Sequence, residues 1–312
     1  MLKAINKIPA GTFLVPLVVS MILFTFWPKL FHIGGLTEAL LTSSGTSFIS
    51  AALSFSTGTR INMNVLKRLL KHQGMLLLTK VIVASVMSVA FLLLFGTDGF
   101  WNISSLAFVG AMFSLNPAVQ VSILENYGYK EDSVIMGLSA AVTLPMLPLI
   151  VFMLFYSNAS LSELNWMPIV SALLPFFLGI ALGNLDPALG QLFGPLVGGL
   201  LPFLGWDLGQ SMNLKDAFSA GLPGLLLTLM FLIIMSSLYL VDRFILRKDG
   251  VSALAMMSVA GISIVVAPTI ADVFPHLQAE VTAANSQILL ASIITSIFMP
   301  FVIGYTQKKR QD

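Results

Sequence analysis

The sequence predicts an all-α polytopic membrane protein of ten transmembrane helices, arranged as two inverted five-helix repeats. Three observations carry this: long apolar runs separated by short polar joints, a one-sided distribution of basic residues among those joints, and a weak internal repeat. Hydrophobic residues make up 57% of the 312-residue chain and charged residues only 10%, against about 25% in a soluble domain. The mean hydropathy is +0.93. There is no cysteine, which excludes a disulfide framework, thiolate chemistry and a cysteine-based metal site.

A helical span takes roughly 20 mostly apolar residues. Ten runs qualify, at about 9–27, 38–57, 74–96, 103–124, 134–156, 168–184, 192–208, 220–241, 252–274 and 284–305. The first follows Lys3 and Lys7 like a signal peptide. Its apolar run is long for one and lacks a small-x-small cleavage pattern, so it reads as a retained helix. The third carries Lys80 six residues in. The fourth is interrupted by "FSLNPAVQ" at 113–120, where Pro117 removes a backbone donor and biases Asn116 away from helix. The sixth ends in "ALGNLDPALG" at 181–190, a helix stop, and the seventh carries Asp207 near its outer end. The ninth is interrupted by "VVAPTIAD" at 265–272, with Pro268 and then Asp272.

In short-looped membrane proteins the lysine and arginine bias sets orientation. With the N-terminus in the cytoplasm, inside segments hold Lys3, Lys7, Arg60, Lys67, Arg68, Lys71, Lys130, Arg243, Arg247, Lys248, Lys308, Lys309 and Arg310, which is 13 of 16 basic residues. Outside loops hold Lys29 and Lys215, and Lys80 lies within a span. Both termini are therefore expected in the cytoplasm. Topology accounts for the basic residues, so no nucleic-acid partner is implied.

The repeat is read from matches in one order. Gly110 and Pro117 recur as Gly261 and Pro268, and "GTRIN" at 58–62 faces "GQSMN" at 209–213, all offset by 151. "GMLLLT" ending at Thr79 resembles "GLLLT" ending at Thr228. Thr143 and Pro148 recur as Thr295 and Pro300, five apart in both. Pro16 and Pro28 are twelve apart, as are Pro175 and Pro187. The units are 1–156 and 157–312. Each holds five spans, an odd number, so the second copy enters from the opposite side. Inverted repeats with paired helix interruptions mark the binding site of secondary transporters. The breaks are expected near Asn116–Pro117 and Ala267–Pro268, each exposing a half-helix N-terminus suited to an anion.

The polar residues beside the breaks are the candidate substrate ligands: Ser114, Asn116 and Gln120 at the first, Ser263 and Thr269 at the second, and Asn285 and Gln287 opening the tenth span. For Lys80, a counter-charge to a substrate carboxylate competes with snorkelling to the interface. A poorly hydrated carboxylate can carry a coupling proton. Asp272 and then Asp207 are the candidates, each competing with placement in contact with water. Helix–helix hydrogen bonding is the structural alternative for every neutral residue. No metal site, HExxH, catalytic aspartate pair or phosphate loop is visible, and His32, His72 and His276 fall in expected joints. An intramembrane enzyme is thus the remote alternative.

Several stretches carry a resemblance: "INKIPAGTFLVPL", "LLLTKVIV", "PFFLGIALGNLDPALGQLF" and "LPFLGWDLGQSMNL", with "GNLDP" the most specific. Over nearly the whole chain they resemble the bacterial 2-keto-3-deoxygluconate permease family, of the bile-acid:sodium symporter-like superfamily. The resemblance implies an inner-membrane importer of a sugar acid by proton symport, with no cofactor beyond the gradient. It also implies discontinuous fourth and ninth helices, a core of spans 3–5 and 8–10 and a panel of spans 1, 2, 6 and 7. The chain departs from the family in the fifth span, "LSAAVTLPMLP", which lacks a carboxylate before its proline. Sodium-coupled symport of an organic anion is the alternative in mechanism. Lipid and the substrate are the expected partners, and self-association is left open.

Overall fold

The computed structural model describes residues 2–5, 7–128, 136–156 and 167–311. Lys130, the start of the fifth expected span and the junction after residue 156 lie outside the described residues. Among these the chain is nearly all helical, with an isolated bridge between Phe100 and Ile103 and no strand. In chain order the helices are α1 (Leu2–Ile5), α2 (Gly11–Phe26), α3 (Gly35–Leu41), α4 (Thr46–Thr59), α5 (Met63–Leu69), α6 (Met75–Phe95), α7 (Ser105–Phe113), α8 (Pro117–Tyr127) and α9 (Met136–Thr143). They continue as α10 (Met146–Tyr156), α11 (Met167–Leu185), α12 (Pro187–Phe193), α13 (Leu196–Gln210), α14 (Leu214–Ser219), α15 (Gly221–Leu240), α16 (Val251–Ala255), α17 (Val266–Val273) and α18 (Val281–Gln311).

Five helical stretches are long and apolar enough to cross a membrane as they stand: Leu66–Phe95, Ser105–Tyr127, Met136–Tyr156, Gly221–Ile245 and Pro275–Gln307. α12 and α13 form a further candidate, bent by 42°. α2 and α11 are shorter apolar helices. The chain is thus a multi-pass membrane protein, and each expected span contains helix.

Local chemistry sets the helix starts. Asn116 caps α8, its Oδ1 accepting the Val119 N–H at 3.3 Å, with Pro117 at the first helical position. Asp186 and Pro187 repeat this at α12, where Asp186 accepts from the Ala188 N–H. The expected stop at "GNLDP" is therefore observed. Asn184 fixes it in space, donating to the Ile61 carbonyl beyond α4 at 2.7 Å.

The structure differs from expectation at three backbone features. The second span is interrupted by a 3-10 turn at Ser43–Gly45. His72 is no loop residue: it lies in a π-helical turn, Leu70–Gly74, that leads into α6. The ninth-span break falls at 257–260, not at Pro268. Pro268 is the third residue of α17, after a 3-10 stretch at Gly261–Val265. In a first turn the N–H groups have no partner in the helix, so proline costs little there.

Two sets of helices pack chiefly within themselves. α2, α4, α11 and α13 form one. α6, α7, α8, α15, α16 and α18 form the other, and α9 leans against α11 and α4. Of the Ser105–Tyr127 window 94% is buried, against 33% for Gly221–Ile245, so α7 and α8 are central and α15 peripheral. In the first set glycine permits backbone contact. A side chain on Gly58 would collide with the Phe176 carbonyl, one on Gly179 with that of Phe55, and one on Gly205 with that of Phe13.

Gly179→Val should therefore force α4 and α11 apart. Overpacking of a tight contact costs about 1–3 kcal/mol. The expected result is a lower melting temperature in detergent for Gly179→Val, and none for Gly198→Val, where a Cβ meets nothing within 4 Å.

Candidate functional site

The two interruptions meet. Residues 114–116 and 257–260 are both non-helical, and the Asn116 N–H donates to the Ser258 carbonyl at 3.0 Å. Ser114 Oγ accepts the Ala260 N–H at 2.7 Å and shares a proton with Ser263 Oγ at 2.6 Å. Asn116 Nδ2 donates to Ser296 Oγ of α18 at 3.2 Å. Thr143 of α9 donates to the Leu115 carbonyl at 2.6 Å, and Thr295 of α18 accepts the Val259 N–H at 2.9 Å. Each break is thus held by one threonine from the next expected span, Thr143 on α9 and Thr295 on α18.

Beside the crossing lies a cavity of about 410 Å³. One wall is the start of each second half-helix: Asn116, Pro117 and Ala118, and Ala260, Gly261 and Ile262. The opposite wall is α4, α11 and α13, contributing Thr46, Ser47, Ser50, Ser54, Ser171, Leu204 and Leu208. The third side is α9, with Ala140 and Thr143. Ser54 is buried and its hydroxyl has no partner among the described residues.

Of the residues expected as substrate ligands, Asn116 alone lines this cavity. Ser114 and Ser263 satisfy each other behind the wall. Gln120 is fully buried on α8, and neither amide atom has a partner among the described residues. Thr269 bonds back to the Val265 carbonyl at 2.7 Å, within its own helix. Gln287 accepts the Ser104 N–H and donates to the Asn102 carbonyl, holding the turn before α7. Asn285 is half-buried and off the cavity wall.

The charged candidates also need correction. Lys80 does not snorkel and does not reach the cavity. It is fully buried, with Nζ 3.4 Å from the Met256 carbonyl at the end of α16 and 5.1 Å from the Phe231 ring centre. The amine there donates to the carbonyl end of a half-helix and lies over an aromatic face. Asp272 is exposed on α17 and stands off the cavity wall. Asp207 is buried at 1% exposure on α13, with the cavity residue Thr46 beside its carboxylate but outside hydrogen-bond geometry.

The sequence reading passed over the hydroxyl wall. Its signal was present: Ser47, Ser50 and Ser54 recur at helical spacing in "TSFISAALSFSTGT" and share one face of an otherwise apolar span. It also passed over the buried pair between His72 Nε2 and Asp242 Oδ1, at 2.8 Å, because the partners are 170 residues apart.

A family model described as 2-keto-3-deoxygluconate permease matches residues 2–312. The 2-keto-3-deoxygluconate permease of Enterobacter sp. (strain 638) is 33% identical over 312 residues, covering 98% of this chain and 92% of the relative. Those of Escherichia coli O7:K1 (strain IAI39 / ExPEC) and E. coli (strain K12 / DH10B) are each 32% identical over 314 residues, covering 98% of this chain and 94% of the relative.

The threonine at the second break gives a test of how the crossing is held. Thr295→Val keeps the shape and strands the buried Val259 N–H, which should cost about 1–3 kcal/mol. Thermal unfolding in detergent should show that loss, and Thr295→Ser, which keeps the hydroxyl, should recover most of it.

Proposed function

We propose, from the premise that this chain belongs to the 2-keto-3-deoxygluconate permease family, that it imports 2-keto-3-deoxygluconate or a closely related sugar acid by proton symport with alternating access. The family and the relatives are permeases, not enzymes. The observation that carries the substrate reading is the two-sided chemistry of the cavity. Its volume of about 410 Å³ falls in the range of small-molecule sites, roughly 300–1,000 Å³. Half-helix N-termini at Ala118 and at Gly261 and Ile262 suit a carboxylate. The serines and threonine of α4 and α11 suit the hydroxyls of the tail.

The pairing of roles supports the inverted-repeat reading, with units 1–156 and 157–312. Thr143 and Thr295 are matched by the repeat and each holds the break of its own half. The two packing sets support a panel (spans 1, 2, 6 and 7) and a core (spans 3–5 and 8–10) that move relative to each other. We place the protein in the bacterial inner membrane with both termini cytoplasmic, following the basic-residue bias.

For coupling, Asp207 is the better candidate than Asp272. It is buried where Asp272 is exposed, and the cavity residue Thr46 stands beside its carboxylate. A proton on Asp207 would remove a negative charge near the incoming anion, so both would load together.

Ser50→Ala and Ser54→Ala should each raise KM for uptake about fivefold, the effect of one lost ligand hydrogen bond of about 1 kcal/mol. Thr269→Ala should leave KM unchanged, because that hydroxyl is spent within its own helix. Wild-type KM in both cavity variants would remove the cavity from consideration.

Asp207→Asn should bind substrate and exchange labelled for unlabelled substrate, yet fail to concentrate it in proteoliposomes under a pH gradient. If it still concentrates substrate with only that gradient imposed, Asp207 does not carry the proton. Replacing sodium with choline then tests the sodium-coupled alternative.

A further inference from the structure

α4 and α8 belong to different packing sets, and both begin at the cavity. Thr46 and Ser47 open α4, and Pro117 and Ala118 open α8. Both also end at one place: Arg60 caps the C-terminus of α4, and Glu125 lies in the last turn of α8. Arg60 Nη1 donates to Glu125 Oε1 at 2.7 Å. Eight residues separate Pro117 from Glu125, roughly 12 Å along a helix. The two helices, one from each packing set, are therefore joined at their C-terminal ends by an ion pair.

Phe176 of α11 follows the cavity residue Pro175, and its carbonyl abuts Gly58, two residues before Arg60. It is fully buried against Gly137 of α9, where a methyl group at residue 137 would come within 2.6 Å of its Cβ. The pair itself stands at a second hollow of about 470 Å³, bordered by Gly190, Gln191, Gly194 and Pro195. Both side chains keep 25% exposure there. The stem of Arg60 passes over Gly194, where a Cβ would sit 3.3 Å from its Cγ and Cδ.

We propose that Arg60 and Glu125 form a latch that closes the cavity at the end remote from Thr46, and that breaking this pair is a step in exposing the cavity to that face. The inference rests on the alternating-access reading above. A quarter-exposed ion pair biases an equilibrium only a few-fold. That weakness suits a latch opened in every cycle, and a buried pair would not offer it.

The absence of native cysteine permits a single reporter. Ala51 lines the cavity. In cells and in inside-out vesicles, Ala51→Cys should react with a membrane-impermeant thiol reagent mainly from the face opposite the pair. Adding Arg60→Gln or Glu125→Gln should raise the rate from the pair's own face about two- to fivefold. The exchange Arg60→Glu with Glu125→Arg should restore the original rate. A pair that only staples the fold would lower the melting temperature and leave this one-sided rate unchanged, which would overturn the latch.

Where the single variants fail to fold, Arg60→Cys with Glu125→Cys replaces them. A short bifunctional thiol cross-linker should stop transport, and cleaving it should restore transport. Undiminished transport by the cross-linked protein overturns the proposal. Because labelling needs no substrate, a wrong substrate assignment leaves this result standing. Equal labelling of Ala51→Cys from both faces in the otherwise native chain would instead remove alternating access itself, and the latch with it.

Discussion

The structure depends on one constraint: extended backbone at membrane depth must find its hydrogen bonds inside the protein. An unsatisfied peptide group in hydrocarbon costs several kcal/mol. Two segments of this chain are extended at the centre of the helical array, and each is a large part of the answer for the other. Asn116 N–H meets the Ser258 carbonyl, and Ala260 N–H meets Ser114 Oγ. Neither break is tenable alone. Ser114, Thr143 and Thr295 are accordingly polar residues required by the backbone, and their hydroxyls are committed to it.

This separates two kinds of polar residue that look alike in sequence. Hydroxyls that hold the crossing are buried and paired. Hydroxyls on the facing wall, from Ser47 to Ser54 and at Ser171, line a cavity. A ligand reaching this site would meet backbone N–H groups from one set of helices and side-chain hydroxyls from the other. Its affinity would thus depend on how the two sets are juxtaposed. A shift between them would change which groups reach it, a requirement for any site served alternately from two faces.

What was legible in the sequence follows the same division. Membrane class was readable because it is set by runs of apolar residues. The first break was readable because Asn116 caps and Pro117 starts the next helix, both local effects. The second was misplaced by eight residues or more, since Pro268 is a visible signal that does nothing to the backbone there, whereas 257–260 is held open by Lys80, Ser114 and Thr295 from distant segments. Most of the expected substrate ligands lie off the cavity for a related reason. Proximity to a break in sequence selected residues that serve the break, and the facing wall has no break to mark it. Asp207 was singled out, but its burial follows from the packing of α13 on α2 and α4.

The placement of Lys80 explains how an uncharged cavity wall can favour an anion. Breaking a helix creates two ends of opposite polarity at one depth. At the ninth break the carbonyl end of α16 receives the Lys80 ammonium at Met256. At the fourth, the Leu115 carbonyl receives the Thr143 hydroxyl. The electronegative ends are thus answered by side chains, by Lys80 away from the cavity and by Thr143 at its edge. The N–H ends, at Ala118 and at Gly261 and Ile262, border the cavity itself. Asymmetric satisfaction of the two breaks leaves the cavity facing the electropositive ends alone. A lysine in the cavity would bind an anion more tightly and release it more slowly. A lysine placed behind it, donating to the opposite pole, would leave the oriented N–H groups as the attraction for an anion, a weaker one that would suit a site emptied in every cycle.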